Sequence, residues 1–234
     1  MHLIVFDIDG TLTDTNLVDG DCYWRAICEV LGLAGQRPDW SSFRHVTDTG
    51  IAAELCLRHL GRKLRAADIA AIANRLAALL DVALVCEKPL ERQIPGSAEI
   101  LGILKNSSDF ALALATGGLR LSAELKLRSA GLAFGGLPFA SSDDAISRED
   151  ILRIAAGRAA KKYEAQFASF TYVGDGVWDA TAARELGWHF IGIGAGAQAE
   201  KLRQAGAATV IQNYRPAEAF LRLLVNESAG RQHD

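Results

Sequence analysis

The segment FDIDGTLTD, residues 6–14, continues the apolar run of residues 3–6 and carries three carboxylates in eight positions. An uninterrupted apolar run of this length is typical of a buried strand in a parallel sheet. The acids therefore lie where such a strand ends. Ligands of open α/β sheets bind beyond the carboxyl ends of the strands, so this segment is the first place to look for chemistry.

Alternating strands and helices follow later in the chain. Beyond Pro95, short apolar runs separate amphipathic stretches with helical periodicity. The predicted strands are residues 3–6, 110–115, 170–173, 190–193 and 209–211, and the predicted helices are residues 119–130, 151–160, 180–186, 201–205 and 216–225. This alternation predicts an α/β fold with a doubly wound, Rossmann-like parallel sheet covered by helices on both faces.

A helical insertion interrupts this pattern after the first strand. Residues 17–93 show helical periodicity and contain no convincing strand. We therefore predict an α/β catalytic core formed by residues 1–16 and 94–234, and an all-helical cap domain formed by residues 17–93.

The composition indicates which kinds of molecule the protein binds. Half of the 234 residues are apolar, 23% are charged and the net charge is −3, with lysines and arginines scattered along the chain. This balance supports a globular core and gives no basic stripe for a nucleic acid or a membrane surface. No apolar stretch is long enough for a membrane span or a signal peptide. We expect a cytoplasmic protein, monomeric or homodimeric, with a small molecule as its partner.

Three predicted strands end in unusual loops: DIDGT at 7–11, TGG at 116–118 and GDGVWD at 174–179. Each loop alone is compatible with an ordinary turn, because Gly, Asp and Thr are common turn residues. Together they bring acids, a hydroxyl group and backbone N–H groups to one edge of the sheet.

The acids of the first and third loops, Asp7, Asp9, Asp175 and Asp179, repel one another unless a cation lies between them. Turn formation and helix capping are an alternative role for Asp7 and Asp9. A calcium loop of the EF-hand type is excluded, because that pattern requires Gly at its sixth position and Glu at its twelfth. A hard divalent cation such as Mg²⁺ would let one carboxylate attack a phosphate and a second carboxylate transfer the proton.

These loops resemble the signature motifs of the haloacid dehalogenase superfamily. The motifs D-x-D-G-T-L-T-D, Thr-Gly and G-D-G-x-x-D end successive strands in the family order, and the helical insertion after the first strand resembles the phosphatase branch. Pro95, Gly96 and the segment KLRQAGAATVI also look like members close to phosphoglycolate phosphatase. The resemblance covers nearly the whole chain and implies a Mg²⁺-dependent phosphatase of a small phosphorylated metabolite.

The resemblance also implies roles for the acids. Asp7 would be the nucleophile and a Mg²⁺ ligand, and Asp9 would be the general acid/base and a ligand through its backbone carbonyl. Asp175 would complete the metal shell, with Asp179 supporting it. Dehalogenase members lack an acid at the place of Asp9, so the resemblance favours phosphate ester chemistry.

The phosphate group would be held by Thr116 and the backbone N–H of Gly117. The family places a lysine at the start of the helix before the third loop, where this sequence has Arg148. We predict that Arg148 takes that place as a cation able to bind phosphate, although its reach and hydration differ from those of lysine. The alternative is Lys161 or Lys162, about three turns further along the same helix.

Other functions fit the sequence less well. The segment GIGAGA at 192–197 matches the dinucleotide pattern G-x-G-x-x-A, but Gln212 and Asn213 lie where the ribose-binding acid is expected. A receiver-like phosphoacceptor module would not need a helical insertion. A phosphomutase of the β-phosphoglucomutase type stays open, because it shares the core and differs only in the acceptor of the phosphoryl group.

Substrate choice is expected to lie with the cap, since a lid excludes water and contacts the leaving group. Arg44, His45 and Thr47 are candidates in the most polar loop of the cap. An ordinary loop with Asp48 or Thr49 capping the following helix is equally compatible with this segment.

Three further side chains lie near the loops. Asn16 is a candidate for substrate specificity at the hinge between core and cap. Asp14 lies where that hinge begins, and Trp178 is either a core residue or a wall of the site.

Overall fold

A computed structural model gives the fold, and it describes residues 1–86 and 89–229. Its sheet has six parallel strands in the order β3-β2-β1-β4-β5-β6. The strands are β1 (His2–Phe6), β2 (Phe110–Ala115), β3 (Phe139–Ala140), β4 (Ser169–Gly174), β5 (His189–Ile193) and β6 (Thr209–Ile211). The predicted α/β fold class is confirmed, and the chain order reverses beside β1, where β2 and β4 flank it.

Nine α-helices occur in the described part of the chain. They are α1 (Asn16–Leu31), α2 (Asp48–Leu60), α3 (Ala66–Ala83), α4 (Ser97–Lys105), α5 (Arg120–Ser129), α6 (Arg148–Tyr163), α7 (Val177–Leu186), α8 (Gly196–Gln204) and α9 (Ala217–Ala229). The first three follow β1 directly, α4 precedes β2, and α5 to α9 each follow one of the remaining strands. Among the described residues, the helices are all too short or too polar to cross a membrane.

Side chains of the central strands alternate between two hydrophobic layers, as the period of two in a strand requires. Ile4 and Phe6 belong to a cluster that also contains residues of α4, α5 and α9. Leu3 and Val5 belong to a second cluster, which contains residues of α6 and α7. Both faces of the sheet are therefore covered by helices, as a parallel sheet requires.

The helices between β1 and α4 form a third hydrophobic cluster of their own. Tyr23, Ile27, Leu55, Ile72 and Leu76 are buried in it. The cluster also includes buried Leu119 at the start of α5, which joins the helical segment to the rest of the molecule. In the same segment Cys22, Cys28 and Cys56 are free thiols, whereas the side chain of Cys86 lies outside the described part.

The strand register aligns the loops that matter for chemistry. Phe6 pairs with Leu114 on one side and Val173 on the other. The residues that follow these three positions therefore leave the sheet together at its carboxyl edge.

A buried histidine at the start of β1 predicts how stability responds to acid. The ring Nε2 of His2 lies 2.8 Å from Thr171 Oγ1, and burial together with His189 lowers the pKa of His2 from 6.5 to about 4. Between pH 4 and pH 6.5 the His2 ring is therefore protonated in the unfolded chain and neutral in the folded chain. The free energy of unfolding should fall by about 1–3 kcal/mol from pH 6.5 to pH 4 through this group.

Urea unfolding of wild type and His2→Gln across pH 4–7 measures this contribution as the difference between the two curves. His59→Gln makes the same substitution at an exposed position and serves as the matched control. Parallel curves for wild type and His2→Gln would contradict the assignment.

Candidate active site

The loop after β1 approaches the loop after β4 because of a glycine. Gly10 has φ +70°, and a Cβ on it would overlap the carboxylate of Asp175. Glycine is the residue that adopts this conformation without strain. Asp7 itself stays tied to the sheet, since its N–H donates to the Val173 carbonyl at 2.9 Å.

Three carboxylates converge where these loops meet. Oxygen atoms of Asp7, Asp175 and Asp179 all lie within 4.8 Å of one another. Burial and the neighbouring Asp179 raise the pKa of Asp7 well above its usual value, and the same two causes raise the pKa of Asp175 to about 7. A hard divalent cation fits this set, because all the donors are carboxylate oxygens and their mutual repulsion needs positive charge nearby.

Neighbouring groups fix two of these acids. Asp179 accepts from the Tyr172 hydroxyl and from the Gly176 N–H, each at 2.9 Å. Asp175 accepts from Asn16 Nδ2 at 2.7 Å, and its backbone carbonyl accepts from Gln198 Nε2 at 2.5 Å. Asn16, predicted as a specificity residue, thus contacts the acidic cluster directly.

Arg148 is the first residue of α6, whose amino end is capped by Ser147. Its Nη1 lies 3.0 Å from Asp179 Oδ1, 3.4 Å from Asp7 Oδ1 and 3.2 Å from the Tyr172 hydroxyl. Burial lowers the pKa of the guanidinium, but Asp179 and its other partners raise it overall, so Arg148 is charged.

The position of Arg148 depends on Gly117, because a Cβ at Gly117 would overlap the guanidinium. Arg148 Nη2 also donates to the Val46 carbonyl at 3.0 Å, which joins it to the helical segment. The alternative lysines lie elsewhere: Lys161 is exposed, and Lys162 donates to the Gly136 carbonyl.

The carboxylate of Asp9 belongs to a different group of contacts. Its Oδ2 lies 2.5 Å from Lys126 Nζ, and its Oδ1 accepts from the Thr15 hydroxyl at 2.5 Å. Lys126 lies on α5, is completely buried, and places Nζ 2.6 Å from Asp19 Oδ1 on α1. Burial opposes the charge of Lys126, but Asp19 and Asp9 raise the pKa of its ammonium group overall. The two acids of the first loop therefore have different surroundings.

A cavity of about 390 Å³ lies between this edge of the sheet and helices α1 and α2. The predicted site residues that line it are Asp7, Asp9, Asn16, Thr47, Thr116, Gly117, Arg148 and Asp175. Trp178 is half-buried and also lines this cavity, whereas Asp179 is buried behind it and Asp14 is exposed outside it.

The residues of the predicted specificity loop line two different cavities. Arg44 and His45 line a neighbouring cavity of about 360 Å³ rather than this one. Thr47 lines the first cavity and is also the amino-terminal cap of α2, because its hydroxyl accepts from the Gly50 N–H at 3.1 Å. The cap of α2 is thus Thr47, not Asp48 or Thr49. The Thr47 hydroxyl donates to the Ile146 carbonyl at 2.7 Å, so it also joins the helical segment to the core.

Several residues of the cavity were not predicted from the sequence. They are Asp19, Tyr23, Trp40, Asp48 and Gln198, with Lys126 and Tyr172 behind the wall. Asp48 joins the helical segment to the second loop, since its N–H donates to the Gly117 carbonyl at 2.7 Å and its Oδ2 accepts from the Leu119 N–H at 2.8 Å. Lys126 carried a sequence signal, because it lies three residues after the buried Ala123 and four before the buried Ala130, a spacing that places it on the buried face of α5.

A doubly wound sheet with acids at its carboxyl edge and a helical segment above them defines an enzyme of the α/β class. Over residues 1–187 the sequence matches the family of haloacid dehalogenase-like hydrolases. The chain belongs to this family and is a hydrolase. A search of curated protein sequences gave no match.

Solved structures show the same fold at low identity. A hydrolase from Pseudomonas syringae is 20% identical, with 96% of this chain and 99% of that chain aligned and a TM-score of 0.69. A candidate beta-phosphoglucomutase from Bacteroides vulgatus is 18% identical over 99% and 91% of the two chains, with a TM-score of 0.67. CbbY from Rhodobacter sphaeroides, solved in complex with phosphate, is 20% identical over 91% and 94%, with a TM-score of 0.61.

Proposed function

We propose that this hydrolase is a Mg²⁺-dependent phosphatase that cleaves a phosphate monoester of a small metabolite through a phosphorylated Asp7. The observation that carries the proposal is the separation of Asp7 and Asp9 into two environments. Asp7 lies with other acids and Arg148, whereas Asp9 is held by Lys126 and Thr15. Pairs of carboxylates in different environments are typical of a division between nucleophile and proton carrier.

The acidic cluster would hold the cation. Asp7 and Asp175 would bind Mg²⁺ through carboxylate oxygens and Asp9 through its backbone carbonyl, while Asp179 orients its neighbours. When bound, the cation supplies positive charge that offsets the repulsion among the acids and the charge of the phosphate group.

The phosphate group would lie between the first two loops. The Thr116 hydroxyl and the Gly117 N–H would donate to its oxygens, and Arg148 would contact the group while staying paired with Asp179. An Asp7 oxygen forms the new bond to phosphorus as the bond from phosphorus to the ester oxygen breaks.

Asp9 would carry the proton in both halves of the reaction. In its protonated form it donates to the departing ester oxygen, which leaves as an alcohol. The resulting carboxylate then takes a proton from the water whose oxygen attacks the phosphorus of phospho-Asp7. The bond from Asp7 to phosphorus breaks, which releases phosphate and regenerates the Asp7 carboxylate. The contacts from Lys126 Nζ and the Thr15 hydroxyl fix the position of this carboxyl group.

We retain the predicted division into a core of residues 1–16 and 94–234 and a cap of residues 17–93. The separate hydrophobic cluster of the helical segment supports it. In this proposal the cap covers the cavity, and the cytoplasmic location stays a prediction.

Dependence on Mg²⁺ tests the proposed function. Hydrolysis of p-nitrophenyl phosphate should fall at least about 100-fold when EDTA replaces Mg²⁺, because the acids then repel the phosphate group. Added Mg²⁺ should also raise the melting temperature, since it binds the folded chain only. NaCl at equal ionic strength controls for salt effects. Activity that persists in EDTA would contradict the proposal.

A further inference from the structure

The wall of the cavity that the helical segment forms is acidic and aromatic. It carries the carboxylates of Asp19 and Asp48 and the rings of Tyr23 and Trp40. The two rings lie 5.7 Å apart between centroids, and the Tyr23 hydroxyl donates to the Asp48 carbonyl. In the proposed function, this wall contacts the part of the substrate that leaves as the alcohol.

Arg148 is the one cationic side chain that lines the cavity among residues 1–86 and 89–229. Its guanidinium already bonds to Asp179, to Tyr172 and to the Val46 carbonyl. These contacts hold it beside Asp7, at the phosphate site. Among the described residues that line the cavity, those of the helical segment therefore include no cationic side chain.

Lys126 lies behind the wall, and its charge is already paired. Its ammonium group contacts Asp9 and Asp19, and its side chain has no exposed surface. Arg37 is near the wall, against Gly20, but it pairs with Asp21 at 2.6 Å and does not line the cavity. A second anionic group on a substrate would thus lie beside carboxylates with no cation to bind it.

We propose that the enzyme selects phosphate monoesters whose leaving group carries no negative charge. A buried anion without a partner is strongly disfavoured, and nearby carboxylates add repulsion. Hydroxyl and ammonium groups, in contrast, donate hydrogen bonds to carboxylates. This inference rests on the proposed function and specifies its substrate class. It disfavours phosphocarboxylates such as phosphoglycolate, and also the sugar bisphosphates that a phosphomutase must bind.

Three substrates with the same two-carbon skeleton test the inference: phosphoglycolate, 2-hydroxyethyl phosphate and phosphoethanolamine. The leaving group is anionic in phosphoglycolate, uncharged in 2-hydroxyethyl phosphate and cationic in phosphoethanolamine. We expect kcat/KM for each of the last two to exceed that for phosphoglycolate by about 100-fold, because only phosphoglycolate buries an unpaired anion. A ratio below tenfold for either would overturn the inference, and any larger ratio supports it.

A variant that removes one negative charge tests whether this wall causes the substrate selection. Asp19→Asn frees the Lys126 ammonium from one of its two carboxylates, so it should lower the ratio of 2-hydroxyethyl phosphate to phosphoglycolate by about tenfold. Asp81→Asn makes the same change at an exposed position on α3 and should leave the ratio at the wild-type value. An Asp19→Asn variant with the wild-type ratio would overturn the assignment to this wall.

The two proposals fail in distinguishable ways. If p-nitrophenyl phosphate is hydrolysed with Mg²⁺ and phosphoglycolate is the preferred two-carbon substrate, the charge selection is wrong and the phosphatase function stands. If none of the esters is hydrolysed, the proposed function itself is wrong.

Discussion

Replacing Asp7 by asparagine should lower kcat for p-nitrophenyl phosphate by roughly 10⁴-fold or more, because an amide cannot form the bond to phosphorus. The substitution keeps the shape of a side chain that is 7% exposed and touches Arg148. Binding of the phosphate group should therefore survive, and the loss should appear in kcat rather than in KM. Single-turnover hydrolysis with excess enzyme measures it.

The same substitution should stabilise the protein without metal. The raised pKa of Asp7 means that the folded chain binds a proton more readily than the unfolded chain. The ionised carboxylate therefore destabilises the fold as pH rises above its ordinary pKa. Asparagine removes this repulsion, so the melting temperature at pH 7 in EDTA should rise.

Asp14→Asn is the matched control, since Asp14 is exposed and lies outside the cavity. It should keep the activity of the wild type. If Asp7→Asn retained more than about 1% of the activity, another group would have to be the nucleophile.

Replacing Lys126 by methionine should lower the free energy of unfolding by about 3 kcal/mol, because it leaves two carboxylates that are only 16% and 15% exposed without their cation. Asp9 and Asp19 both contact this ammonium group, at 2.5 and 2.6 Å. Denaturant unfolding at pH 7 measures the loss. The double variant Lys126→Met, Asp19→Asn should recover part of it, because one of the two unpaired charges is gone.

The activity of Lys126→Met should depend on the leaving group. The variant no longer fixes the carboxyl group of Asp9, which donates the proton in the proposed mechanism. Alkyl phosphates need that proton, whereas p-nitrophenolate leaves without much help, so activity on alkyl phosphates should fall further. A structural defect alone would lower both activities equally.

Lys105→Met is the control for loss of a lysine. Its ammonium group is exposed and donates to the Ala133 carbonyl at 2.9 Å. The stability change at such a surface position should be within about 0.5 kcal/mol. A Lys126→Met variant as stable as this control would contradict the role of the buried ion pairs.

Most strands could be predicted because their signal is local. The predicted strands 110–115 and 209–211 match β2 and β6 at both ends. β3 was missed, because two residues give no pattern and Phe139–Ala140 becomes a strand only by pairing with β2. The helix α8 begins at Gly196, five residues before the predicted start, since burial of Ala199 and Leu202 outweighs the low helix propensity of its glycine-rich start.

Two other helices carried signals that the prediction did not use. α4 was not predicted, although Ile100, Leu101 and Leu104 have helical spacing and are buried. α6 was predicted from residue 151, but Ser147 caps it through the Asp150 N–H and makes Arg148 its first residue.

The candidate site also contains some residues that could be predicted from the sequence and some that could not. The residues on the strand ends were found by their motifs, because the topology of a parallel sheet brings strand ends together. Asp19 and Asp48 lie on α1 and α2, which pack into one hydrophobic cluster with α3 and Leu119, and no sequence pattern gives that arrangement. The residues of this cavity wall could therefore be identified only from the folded structure.

The contact between Gly117 and Arg148 has a consequence for how this enzyme can diverge. The guanidinium occupies the space that any larger residue at 117 would need. Lysine is narrower and would leave that space free. The two positions are thus linked in inheritance in one direction: a lineage with arginine at 148 keeps glycine at 117, and a larger residue at 117 becomes tolerable only after the arginine has been replaced by a narrower side chain.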